Sequence, residues 1–277
     1  MTIPSVGTTQ FVLFVLGAII FITVPVIVAV IWKIVKKERI STILVGAATF
    51  FLFALILEKP LQALVISIDH PLSRFLYANP VIISLVAALF AGVFEETGRF
   101  IAYKTVLRKR TNRETSVSYG IGHGGFEVML VYGYSYIINI VYAILMNSGE
   151  IQTLIDQTLE KDPSQAGAIA ELLNGVATFG ISNIVLGASE RIFTVLFHIA
   201  LSIIVFYACK DKKKVWLYPL AIVLHTGLDF VAALNLFKVI SIPAWGLEII
   251  VALSGIIAFA GAYLLLYKRD SNGENCQ

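Results

Sequence analysis

Apolar runs of about 20 residues or more recur seven times along the chain, near 11–32, 41–67, 80–103, 116–146, 186–209, 215–236 and 244–267. About 20 apolar residues in a helix cross a hydrocarbon core roughly 30 Å thick. The pattern therefore predicts an all-α, polytopic membrane protein with seven transmembrane helices. The first run is too long for a signal-peptide core and lacks a basic leader and a clear cleavage site, so it reads as a span. Pro60, just after Glu58 and Lys59 in the second run, predicts a kink. Between runs four and five, residues 147–185 alternate polar and apolar positions (Ile151, Leu154, Ile155, Leu159, then Ile169, Leu172, Leu173). That spacing predicts one or two short amphipathic helices. No internal repeat or second domain is visible, so residues 1–277 read as one integral membrane domain.

The loops alternate in charge. Lys33, Lys36, Lys37 and Arg39 follow the first span; Lys104, Arg108, Lys109, Arg110 and Arg113 follow the third. Lys210, Lys212, Lys213 and Lys214 follow the fifth, and Lys268-Arg269 follow the seventh. The other loops are poor in basic residues; 147–185 holds Glu150, Asp156, Glu160, Asp162 and Glu171 against Lys161. Basic loops mark the cytoplasmic side, which predicts the N-terminus outside and the C-terminus inside. Composition agrees: 58% of residues are apolar and 14% charged, against about 45–50% and 25% in soluble domains. A secreted, nucleic-acid-binding or disordered protein is excluded. The net charge of +3 adds little, and Cys209 and Cys276 suggest no disulfide framework.

Ionisable side chains inside spans are costly and by default functional. Span three holds Glu95, Glu96 and Arg99; span four His123 and Glu127; span five His198; span six His225 and Asp229. At about 1.5 Å per residue from the nearest basic loop, Glu95 lies roughly 13 Å deep, His123 roughly 12 Å, His198 roughly 18 Å and His225 roughly 17 Å. Four helices thus place acids and imidazoles in one layer, in the half of the membrane next to the basic loops, and the site is expected to open toward that half. His123 and Glu127 are i,i+4, as are His225 and Asp229 and Glu95 and Arg99, so each pair shares a helix face. Arg99 can neutralise one glutamate and leave the other for chemistry. Gly120, Gly122, Gly124 and Gly125 around His123 lower helix propensity and point to close approach of another helix or a substrate.

Three neutral imidazoles can bind zinc with one position left for water, and a nearby carboxylate can act on that water as a base. Alternatively, a buried glutamate activates water directly while a histidine stabilises the oxyanion. Both are hydrolase sites. Plainer readings also exist: a lone intramembrane His often bridges helices, and a Glu/Arg pair is often structural. Glu58–Lys59 reads as a snorkelling pair, and Glu190 with Arg191 as interfacial residues.

The run Glu95-Glu96-Thr97-Gly98-Arg99, then Tyr119-x-x-x-His123 with Glu127, then His225-x-x-x-Asp229, resembles the glutamate- and metal-dependent intramembrane proteases. These include CAAX-processing, bacteriocin-processing and PrsW enzymes. The resemblance is strongest to the YhfC family of intramembrane metalloproteases and covers essentially the whole chain. Two residues separate Glu96 from Arg99, as in the PrsW-like spacing, whereas the CAAX-type motif has three. The resemblance implies a multi-pass peptidase of the bacterial cell membrane, acting on a membrane-associated peptide or protein, with the lipid bilayer as its other partner and no nucleic acid. Glu95 or Glu96 would be the water-activating base, with Arg99 as its ion-pair partner. His123, His198 and His225 would bind zinc or stabilise an oxyanion, and Glu127 and Asp229 would orient the imidazoles. The alternatives are a non-proteolytic sensor or immunity protein, and a proton-coupled transporter.

Overall fold

The computed structural model describes residues 2–270; Cys276 lies outside them. The described residues form no strand. In chain order the helices are α1 (Thr8–Lys36), α2 (Ile40–Ser67), the short α3 (Pro71–Tyr77), α4 (Pro80–Lys104), α5 (Glu114–Ser148), α6 (Ile151–Lys161), α7 (Ala166–Ala177), α8 (Ile181–Lys210), α9 (Leu217–Leu236) and α10 (Ala244–Tyr267). Among the described residues, seven of these segments are long and apolar enough to cross a membrane, with the α9 span counted from Lys212. They coincide with the seven apolar runs. This is a multi-pass membrane protein.

Two compact units emerge. One is built from residues through Pro25 and Val128–Ala188, the other from Val26–Glu127 and from Ser189 onward. The first is held by aromatic packing: Phe14 against Phe179 at 4.8 Å between ring centroids, Phe21 against Tyr136 at 5.3 Å, and Tyr136 edge-on to Phe179 at 5.7 Å. Such offset and tilted pairs are the favoured arrangements. The Asn147 amide accepts from the Val6 N–H and donates to its carbonyl, both at 2.9 Å. The amphipathic pattern of 147–185 becomes α6 and α7, with Ile151, Ile155, Leu173 and Val176 buried. Leu154 and Leu172 stay outside, because the i,i+4 stripe of each helix is narrower than its apolar content.

In the second unit, α4 runs along α9. Gly92 makes room for the Ile222 carbonyl and Thr226; a Cβ there would meet that carbonyl oxygen at 3.1 Å. Small residues let helix backbones approach closely in membranes, where packing rather than hydrophobic burial drives association. The glycine-rich turn of α5 works the same way on two sides. A side chain at Gly122 would collide with the Ile43 carbonyl of α2, and one at Gly120 would meet the Ile199 Cα of α8 at 2.7 Å. His123 is thereby held between α2 and α8. At the basic end, Arg113 lies 4.8 Å from the Tyr267 ring centroid and donates to the Tyr267 and Asp270 carbonyls at 3.2 Å.

Pro60 sits in the first turn of a short α-helical stretch that follows a π-helical one, Phe51–Glu58. The widened turns relieve the clash a proline ring makes with the carbonyl four residues back. Glu58 closes that stretch with its side chain turned inward.

Candidate metal centre

All the ionisable residues singled out within spans three to six lie in the second unit, on α4, α5, α8 and α9. Glu95 and Glu96 are neighbours in sequence but face different partners. Arg99, one turn along α4, donates from Nη1 to both Glu96 oxygens at 2.6 and 2.7 Å, and both charged groups of that contact are sealed from solvent. His225 on α9 adds its Nδ1 to Glu96 at 2.8 Å. Glu95 instead meets His123 Nε2 on α5 at 2.9 Å. Arg99 does neutralise one glutamate, and that glutamate is Glu96.

His198 on α8 joins the two sides. Its Nδ1 lies 3.3 Å from Arg99 Nη2, and its Nε2 lies 2.6 Å from Glu127. The Glu127 carboxylate thus serves His198 rather than His123, its neighbour one turn back on α5. Asp229 reaches His225 Nε2 at 3.5 Å, and that nitrogen is also 4.0 Å from Glu95. The three rings are close together: centroids are 5.0 Å apart for His123 and His198 and 5.3 Å for His198 and His225. Phe50 edge-on to His123 and Phe197 edge-on to His225 wall the rings with apolar surface.

Among the described residues, one group offers ligand atoms all within 4.8 Å of one another: Glu95, His123 and His198, all buried. Two imidazoles and a carboxylate form a donor set found in catalytic zinc sites. His123 Nδ1 is also buried with no hydrogen-bond partner among the described residues. The donors present therefore fit a divalent metal. His225 stands beside this group, held by Glu96 and Asp229, and is not one of its three members.

A cleft of about 330 Å³ meets the cluster, lined at its floor by Glu95, Glu127, His198, His225 and Asp229. Its other walls include Glu190 and Arg191 on α8, Val231 and Ala232 on α9, and Ala244, Leu247, Glu248, Ile250 and Val251 on α10. Arg191 lies 19 residues before Lys210, or about 28 Å along the helix. The cleft therefore runs away from the basic loops. That corrects the expected opening toward the basic half: depth was counted from the nearest charged loop, and it says where a residue lies, not which way the space beside it leads.

Two further readings are corrected. Glu58 does not snorkel: its side chain is 1% exposed while Lys59 Nζ, 2.8 Å away, belongs to a side chain 56% exposed. Only the lysine reaches outward, because an ammonium on a four-carbon stem can and a short carboxylate cannot. Glu58 is fully buried, in a stretch of α2 that packs against α4. Arg191 is not merely interfacial, since it donates to Glu127 at 3.0 Å and pairs with Glu190. The available signal was that both pairs interrupt apolar runs, the same signal that singled out Glu95.

The model of the YhfC intramembrane metalloprotease family matches residues 14–251. The chain belongs to that family. It is also similar to a protein of Bacillus subtilis (strain 168) described as the uncharacterized membrane protein YhfC, 32% identical over 254 residues that cover 91% of this chain and 94% of that protein. No solved structure gives a significant match. The matched region holds every residue of the cluster.

Proposed function

We propose that the protein is an intramembrane metallopeptidase that hydrolyses a peptide bond presented in the cleft. The observation that carries this reading is the buried Glu95, His123 and His198 group, of which Glu95 and His198 line the cleft. Family membership supports the same class.

Glu95, His123 and His198 would hold a divalent metal, for which zinc suits the donor set. Bound there, such an ion acidifies water and polarises a carbonyl. The chain's own groups then have separate tasks. Glu96 accepts the Nδ1 proton of His225 and so turns Nε2 of that ring toward Glu95 and Asp229, where it can take a proton from water and return it to the leaving amine. Glu127 orients His198, as carboxylates behind ligating histidines do. Arg99 fixes Glu96, and through it His225. Phe50 and Phe197 limit water access, which strengthens the polar contacts inside. The basic loops read as cytoplasmic, so the cleft, which runs away from them, would open toward the outer side.

The test is peptide cleavage and metal content of wild type and His225→Asn, purified in detergent. The expected variant keeps its metal and loses about 100- to 10,000-fold in rate, the usual contribution of a positioned acid–base group. A wild type that cleaves no membrane peptide would end the hydrolase reading. A His225→Asn protein that loses its metal would make His225 a ligand instead.

A further inference from the structure

A second, apolar crevice of about 270 Å³ adjoins the cleft and shares Phe197, Leu228, Val231 and Ile250 with it. Its remaining walls include Leu224 on α9 and Ile257 on α10. Ile257 is 69% exposed, so the crevice is open along the membrane-facing side of α10. The two spaces differ sharply in chemistry. The cleft is lined by five carboxylates, Glu95, Glu127, Glu190, Asp229 and Glu248, against the single guanidinium of Arg191. Arg191 is already engaged with Glu127 and Glu190. Near the start of α10, Glu248 lines the same cleft as Glu190 and Arg191, and its Oε2 is buried with no hydrogen-bond partner among the described residues.

We propose that the cleft selects a substrate in which an apolar stretch is followed by a positively charged residue. This rests on the hydrolytic reading above. The apolar stretch lies in the crevice between α9 and α10, and the ammonium or guanidinium sits among the cleft carboxylates, closest to Glu248. Both halves follow from cost. An apolar segment leaving lipid for an apolar wall loses little, and a cation brought into low dielectric needs a carboxylate that no other cation already holds. A substrate bearing Asp or Glu there would face like charges, which repel it.

The test reads binding, not cleavage. Fluorescent peptides share one apolar core of about 20 residues and end in lysine, glutamine or glutamate; their affinity is measured by anisotropy for protein in lipid nanodiscs. The expected order is lysine over glutamine over glutamate, with at least a tenfold span, about 1.4 kcal/mol. Glu248→Gln should flatten that order and Glu248→Lys should reverse it, while Glu150→Lys on the exposed acidic face leaves it unchanged. Equal affinities, no binding of any peptide, or an order indifferent to position 248 would overturn the proposal. A preserved order with no cleavage by wild type would sink the hydrolase reading alone, so the two failures are distinguishable.

Discussion

Glu95 and Glu96 are consecutive residues on one helix, yet they belong to two regions of different character. Around Glu96 every strong partner is in place: Arg99 on both oxygens, His225 on one, and no solvent. Around Glu95 the partners are neutral-capable imidazoles, a cleft, and a ring nitrogen without a partner. The roughly 100° turn between successive helical residues separates them, one toward Arg99 and the other toward α5 and the cleft. The comparison teaches that a pair of buried acids can divide labour, one holding the architecture and the other facing the chemistry.

The division predicts a sharp asymmetry in function. Glu95→Gln should lose bound metal and cleavage together, because a site left with two imidazoles holds the ion weakly, measured by metal analysis and peptide assay in detergent. A Glu95→Gln protein of full activity would erase the distinction. Glu96→Ala should act on stability first: it strands Arg99 in the interior, and removing one partner of a buried pair costs about 3–5 kcal/mol. The double variant Glu96→Ala/Arg99→Met should recover most of that loss in the same unfolding experiment. If the double is as unstable as the single, the charge imbalance is not the cause.

Smaller changes sharpen the cleft side. Glu127→Gln should weaken metal affinity about 10- to 100-fold, the usual effect of loosening a carboxylate behind a ligating histidine; competition with a chromogenic chelator reads it directly. Unaltered affinity would mean that Glu127 serves only Arg191. The last prediction changes no rate and concerns the side on which the cleft opens. Cysteines placed at Lys36 and Lys212 should label from the cytoplasm and one at Glu160 from outside, in intact cells with membrane-impermeant maleimide. External labelling at position 212 would turn the cleft mouth inward.

Much of this was legible in the chain. Seven apolar runs became seven spans because length and hydropathy alone satisfy the membrane. The acid and imidazole layer was legible for the same reason, since charged residues in lipid are rare enough to stand out. What spacing could not resolve was pairing between helices. The i,i+4 rule joins Glu127 to His123, yet α8 brings His198 closer to that carboxylate, and only tertiary packing decides it. The same limit hid Glu58 and Arg191, each read with the residue next to it rather than with helices distant in sequence. The glycines around His123 were read as a close approach, and Gly120 and Gly122 show two, one to α8 and one to α2.

The central claim is that Glu95, His123 and His198 together hold a metal while Glu96 does not. Metal analysis of the purified wild type, His123→Ala, His198→Ala and Glu96→Gln, each checked for folding, tests it most directly. The account predicts about one divalent ion per chain in wild type and in folded Glu96→Gln, and near none in the two histidine variants, since three protein ligands define such a site. Stoichiometric metal persisting in both histidine variants, or a folded and active wild type that carries none, would contradict it.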